Sequence, residues 1–325
     1  MRAAFAVFGI VSVGALLVTA APAWSQAQRL VRIGALTEGF GPTPWMVGLR
    51  EGLTELGYRE RRDFVIGVRF TRGNPGELAL AARQFVEQKV DVLTVGGGPA
   101  VRAALAATSQ IPIVFIGGGD PVSLGLVKSY SRPGGNVTGV TTMDLELAPK
   151  RLEMLRSIVP ALKKVLFVYD VADPYTALEL KGYHDAARRL GLVLVERPVR
   201  TREEAQAALG ALRRGDVHGI LGPWAMSLNI PGHVLETGAR LGLPTMFSEP
   251  FYVEGGGLGS YSTDLHGSGR QAARLVDKIL RGTPPGDIPI EVDNHIHFAL
   301  NLKAAQALGL AVPAEAIRRA DRVIQ

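Results

Sequence analysis

The sequence predicts an α/β protein built from two doubly wound parallel-sheet lobes joined by a hinge. Three observations carry this expectation. Short apolar runs alternate with helical stretches from Leu30 onward, as βαβ units require. The alternation halts at the turn-rich Ser131–Asn136 and then starts again. The 325 residues also exceed what a single hydrophobic core normally serves.

In the first series, Leu30–Leu36 reads as a buried strand, followed by a helix from Thr43 to Leu56 with apolar residues at Met46, Leu49, Leu53 and Leu56. Phe64–Phe70 alternates like a strand, and Pro75–Lys89 is helical. Asp91–Val95 is a strand running into three glycines, with Pro99 opening the next helix, where its missing N–H costs nothing. Ile111–Ile116 and Val137–Thr142 are further strands. The second series runs through a helix at Leu147–Ile158, a strand at Lys164–Tyr169 and a helix at Pro174–Leu190 ended by Gly191. A strand at Leu192–Glu196, a helix at Arg202–Arg213, a strand at Gly219–Gly222, a helix at Ile230–Leu241 and a strand at Pro244–Phe247 follow. The tail has a strand at Gly259–Thr263, a long helix at His266–Leu280, extended segments at Ile288–Val292 and Ile296–Leu300, and two short helices. The expected first lobe is 29–141 plus about 263–287, and the second 142–262 plus about 288–325. Late returns of the chain to the lobe junction make a hinge.

The N-terminus reads as an export signal over residues 1–25. Arg2 is followed by an apolar run from Ala3 to Ala23 and small-residue cleavage points such as Ser25-Gln-Ala27. No second run of that length follows. The absence of cysteine excludes disulfides, thiolate metal sites, thiol catalysis and a lipid-anchored cysteine. The formal net charge of +6 is dispersed in short mixed clusters such as Arg59–Asp63, with no basic arm or nucleic-acid motif.

Ligands in open parallel sheets bind beyond the carboxyl ends of the strands. Those ends are Thr37-Glu38-Gly39, Gly96-Gly97-Gly98 and Gly117-Gly118-Gly119-Asp120 in the first lobe. A helix starting at Pro99 would aim its N-terminus at the same cleft, favouring a carboxylate. The second lobe offers Tyr169-Asp170, Pro223-Trp224 and Ser248-Glu249, with Trp45 and Tyr261 near the expected cleft edges; aromatic walls with a few polar groups suit a small molecule. The candidate ligand-binding set is therefore Thr37, Glu38, Trp45, Gly97, Gly98, Gly118, Asp120, Tyr169, Asp170, Trp224, Ser248, Glu249 and Tyr261.

Enzyme signatures are weak. Gly267-Ser-Gly269-Arg-Gln-Ala272 fits G-x-G-x-x-A formally but comes late and outside a βαβ unit. Neither a phosphate-binding loop motif nor a G-x-S-x-G elbow occurs. His295-Ile-His297 puts two imidazoles on one strand face without a third ligand. No catalytic residue, cofactor or metal is expected.

Ile111–Phe115, Gly119-Asp-Pro-Val122, Gly125-Leu-Val127 and above all Arg132-Pro-Gly-Gly-Asn-Val-Thr-Gly139 resemble the ABC transporter substrate-binding protein family that includes the tryptophan- and tyrosine-type components. Lys150–Leu155 with Pro160, and Leu302–Leu310 with Pro313, extend the likeness across almost the whole mature chain. The resemblance implies a type I periplasmic binding protein fold with three hinge crossings, a cleft ligand and no catalysis. It carries ligand roles onto Thr37, Gly97, Gly98, Gly118 and Asp120. The second lobe departs from the pattern. Asp170-Val171 stands where the family usually has Asn-Pro, and Pro223-Trp224 where it often has Asp-Asn, which changes the groups that would hold an ammonium. The expectation is a monomeric periplasmic solute-binding protein delivering its ligand to an ABC permease of the inner membrane. An aromatic or apolar carboxylate is the preferred ligand and an aromatic amino acid the second. The alternative is a ligand-sensing module that docks on a membrane receptor.

Overall fold

A computed structural model describes residues 29–39, 41, 43–142, 144–173 and 175–325. The expected export signal lies outside the described residues. In the first lobe, β1 (Val31–Thr37), β2 (Phe64–Phe70), β3 (Val92–Gly96), β4 (Ile113–Ile116) and β5 (Val137–Thr142) are linked by α1 (Pro44–Glu55), α2 (Pro75–Glu87) and α3 (Gly98–Ala107). In the second, α4 (Ala148–Ile158) leads to β6 (Lys164–Asp170), α5 (Thr176–Leu190), β7 (Val193–Val199), α6 (Arg202–Gly210), β8 (Gly219–Leu221), α7 (Ile230–Leu241), β9 (Thr245–Phe247), α8 (Pro250–Glu254) and β10 (Gly259–Thr263). The chain then returns to the first lobe as α9 (Leu265–Leu280) and β11 (Glu291–Asp293). It ends in the second with β12 (Ile296–Asn301), α10 (Leu302–Ala307), α11 (Ala314–Arg319) and β13 (Arg322–Ile324).

The first sheet has six strands in the order β11-β5-β4-β3-β1-β2, all parallel. The second has seven, β13-β12-β10-β9-β8-β6-β7, with β12 antiparallel to β10. Both sheets are covered on both faces, so central strands such as β4 are buried along their whole length. In the first lobe α2 and α3 cover one face, and α1 and α9 the other. In the second, α4, α5 and the C-terminal helices lie opposite α6 and α7.

The third crossing differs from expectation. The segment from Ile288 does not join the second lobe: β11 pairs with β5, and the chain leaves the first sheet only after Asp293. Ile288 and Ile290 are buried on opposite faces of the first lobe's core, and Thr138 Oγ1 donates to the Ile288 carbonyl at 2.9 Å. An alternating Ile-Pro-Ile pattern looks the same at either sheet edge; the pairing partner decides. The sequence reading also passes over α8 and β13, each a few residues long and formed against finished sheet edges.

What returns α9 to the first lobe is a seam of small residues. A methyl at Gly48 would lie 1.9 Å from the His266 carbonyl oxygen, one at Gly269 2.0 Å from the Trp45 carbonyl oxygen, and one at Gly52 2.7 Å from the Ala273 methyl. The backbones of α1 and α9 are thus in direct contact, and the formal G-x-G-x-x-A motif is explained by helix packing. Gly269→Val should cost about 3 kcal/mol or more through overpacking. Gly267→Ala, whose methyl meets only the Asp264 side chain, should cost under about 1 kcal/mol. Urea unfolding of both variants checks this, and equal losses would rule out the seam.

Candidate functional site

The strand ends of both lobes converge on a narrow cavity between them. The first lobe contributes Thr37 and Glu38 after β1, Gly96 and Gly97 after β3, Ile116 and Gly117 after β4, and Thr43 and Trp45 at the start of α1. The second contributes Asp144, Trp224, Ala225, Met226 and Glu249, with Leu265 beside the second crossing. Six of the sequence candidates therefore line the cavity: Thr37, Glu38, Trp45, Gly97, Trp224 and Glu249. Gly98, Gly118, Asp170 and Ser248 lie just behind it. Gly118 packs on the Gly97–Gly98 backbone, and Ser248 sits under Pro223.

Three candidates are placed elsewhere. The Asp120 carboxylate accepts from Val122 N, Ser123 Oγ and Tyr130 Oη, closing its own turn, and these bonds hold it below the usual carboxylate range. Tyr169 donates to Glu196 on β7 at 3.1 Å and packs on Phe167, on the sheet face that α4 and α5 cover. Tyr261 packs against Phe298 in the second lobe's core. The strand-end rule locates a loop, but the two-residue period decides which face each side chain takes.

The lining is acidic. Among the described lining residues there is no lysine or arginine, but there are three carboxylates, Glu38, Asp144 and Glu249. Burial, then the charges of Asp173 and Asp170 across the cleft, push Glu38 up to about 8. Burial and Asp144 push Glu249 up to about 8, and burial pushes Asp173 up to about 6. Carboxylates from both lobes thus face one another, which opposes closure unless a proton or a cation intervenes.

Sequence reasoning missed the groups behind the wall. Arg151 is fully buried. Its Nε donates to the Tyr261 carbonyl at 2.9 Å and its Nη2 to the Asp144 carbonyl at 2.7 Å; the Asp144 and Glu179 carboxylates each lie 3.6 Å from the guanidinium. Asp144 Oδ1 accepts from Thr263 N at 2.9 Å. Glu179 accepts from Trp224 N at 3.1 Å, and burial raises it to about 7 despite Arg151. One guanidinium therefore ties the first crossing, the second crossing and the Trp224 loop together. The signal was available in the helix period: Arg151 shares a face with Leu155 and Ile158, and Glu179 with Tyr183 and Ala186. A charge in an apolar stripe needs a buried partner.

The lobes also touch at the cleft mouth. Leu228 N donates to Gly73 O at 3.2 Å, and Arg202 Nη2 to Arg72 O at 2.9 Å. Arg72, Gly73, Leu228 and Asn229 all have positive φ, from 51° to 69°. Two short loops are thus held in sparsely populated conformations to make this contact.

Residues 31–324 match the family described as ABC transporter substrate binding protein. A tyrosine-binding protein of Clostridioides difficile is 27% identical over 290 residues, covering 88% of this chain and 82% of that one. Among solved structures, a conserved domain protein from Vibrio cholerae superposes with a TM-score of 0.79 at 27% identity, covering 91% of this chain and all of the other. An ABC domain in complex with L-Trp from Streptococcus pneumonia has a TM-score of 0.77 at 24% identity over the same shares, a likeness of fold. With the family matched from the first strand to the last, this chain belongs to the ABC transporter substrate-binding proteins.

Proposed function

We propose that this protein captures a small ammonium-bearing molecule with an apolar or aromatic body between its lobes, outside the cytoplasm, and presents the closed form to an ABC importer. The observation that carries the reading is the facing of carboxylates from both lobes across a cavity walled by Trp45 and Trp224. A cation placed there removes the repulsion that opposes closure, so ligand binding and lobe closure share one free energy. The same lining disfavours the aromatic carboxylate expected from the sequence, because the described lining holds no lysine or arginine to pair with an acid that lacks an ammonium. The tyrosine-binding relative and the tryptophan-bound structure support a ligand of this size and kind. The proposal includes export by the N-terminal segment, delivery to a permease and a monomeric state, all in keeping with the family. No described helix is long and apolar enough to cross a membrane.

A thermal-shift panel tests the ligand class. Aromatic compounds with an ammonium group should stabilise the protein by about 2.7 kcal/mol at 100 times their Kd, a rise of a few degrees. Benzoate- and cinnamate-type acids should not. Trp224→Ala should weaken binding about tenfold through lost stacking. Stabilisation by the acids alone would sink the reading.

Affinity should depend on pH in a defined direction. Glu38 and Glu249, raised to about 8, hold protons in the folded state that the unfolded chain releases near the ordinary value of 4.5. Ligand-free stability should therefore fall as pH rises from about 5 to about 8. Affinity for the cationic ligand should rise between about pH 6 and about pH 8, with proton release on binding. Calorimetry across that range, and a flatter Tm profile in Glu38→Gln and Glu249→Gln, check both slopes.

The mouth contact is open to a separate test. A side chain at Gly73 would approach Met226 O to 2.4 Å. Gly73→Val should favour the open form, with a larger radius of gyration by X-ray scattering and about tenfold weaker binding. An unchanged Kd would show that the contact does not hold the lobes closed.

A further inference from the structure

A second pocket, of about 320 Å³, lies where the second crossing runs into α9. The first lobe contributes Pro44 at the start of α1, with Leu265 and His266 at the start of α9. The second contributes Pro250 at the start of α8, the strands β10 and β12, and Arg322 on β13. Among the described lining residues it shares only Leu265 with the cleft cavity. Its floor carries hydroxyls where a covered sheet face normally carries apolar side chains. Tyr261 and Phe298 face the core beneath α4 and α5. By the two-residue period Ser260 and Ser262 face the other way, opposite Ala299 and His297 on β12. There α6 and α7 cover the inner strands, while the five-residue α8 packs against β10 and β12. Ser260, Ser262 and the adjoining Thr263 are each no more than 2% exposed. Their hydroxyl oxygens make no hydrogen bond among the described residues. A buried hydroxyl without a partner is destabilising, so three beside one pocket mark a place where an occupant supplies the missing bonds.

The charges around this pocket are already balanced. His266 Nε2 lies 2.9 Å from Glu51 Oε2, and Arg322 Nη1 donates to Glu254 Oε1. Asp264 stands at the N-terminus of α9, where the helix dipole favours a carboxylate. The pocket therefore has little to attract an ion of either sign, in contrast to the acidic cleft. What it offers is the set of hydroxyls, which both donate and accept, and the exposed His297 ring at its open end. Pro44, Pro250 and Leu265 add apolar surface. Hydrogen-bonding groups of both kinds beside apolar surface match the hydroxyls and C–H faces of a sugar or polyol.

We propose that this pocket is a second binding site, for a small neutral polyhydroxylated molecule held by Ser260, Ser262 and His297, and that its occupancy is sensed by the hinge. Its walls belong to both lobes and to the crossing between them, so an occupant biases the angle at which the lobes close. The inference does not depend on what the cleft binds.

Isothermal titration of the purified protein with ribose, glucose, xylitol and myo-inositol tests it, with phosphate and putrescine as charged controls. At least one of the four should bind once per chain with a Kd below about 1 mM, and neither control should bind to this pocket. The double variant Ser260→Ala/Ser262→Ala removes only unpartnered oxygens. It should fold with an unchanged or higher Tm and bind that polyol at least tenfold more weakly. His297→Ala alters an exposed side chain, so it should fold normally and also weaken the polyol. X-ray scattering should show a changed radius of gyration when the polyol is saturating; an unchanged radius would remove the link to the hinge. No polyol binding, or binding equally tight in a folded serine variant, would overturn the site and leave the ammonium reading standing. Polyol binding that survives in the serine variant but is lost in Trp224→Ala would place the molecule in the cleft and overturn both.

Discussion

A single buried guanidinium sets the geometry on which the cleft depends. Taking Arg151 out of water costs several kcal/mol, and the cost is offset only by partners held in fixed places. Those partners come from the ends of two hinge crossings and from a core helix. Because Glu179 in turn receives the Trp224 backbone N–H, the aromatic wall of the cavity is anchored to the same charge. The hinge strands and the binding loop are thus parts of one network. Asp144 has a double role in it: its carbonyl and carboxylate hold Arg151 and Thr263, and the same residue lines the cavity.

Around that fixed end, the two lobes carry opposing tendencies. Glu38 from one side and Asp170, Asp173 and Glu249 from the other bring carboxyl groups together as the cleft narrows, so that Glu38 and Glu249 are pushed up to about 8 and hold protons until a cation replaces them. At the mouth, the Gly73–Leu228 and Arg72–Arg202 bonds favour the narrow form. Repulsion relieved by a bound cation, and short-range attraction between the closed lobes, are the two ingredients of a ligand-driven switch. The protein needs no catalytic group for this, only a balance that a small molecule can tip.

Most of the fold was legible because parallel strands buried on both faces leave apolar runs of a characteristic length. Phe64–Phe70, Val137–Thr142 and Gly259–Thr263 are strands over the ranges their composition suggests, and Ile230–Leu241 is a helix bounded as its period suggests. The third crossing was misplaced because Ile288 and Ile290 carry no mark of which sheet they join. Half of the site was legible for a related reason: loops after strands announce themselves by glycine and polar residues. Asp120, Tyr169 and Tyr261 were swept in because loop position says nothing about side-chain direction.

The alternation of strands and helices, the two-lobe division and the sheet edges where a ligand would sit are all written in the order of the residues. These are local properties, carried by periods of two and 3.6 residues and by turn chemistry. The character of the site arises only in three dimensions. That three carboxylates share one cavity, and that Arg151 ties both crossings to the helix that holds the Trp224 loop, are relations between residues far apart in the chain. Electrostatic energy depends on distance and burial, and neither exists until the lobes have folded and met.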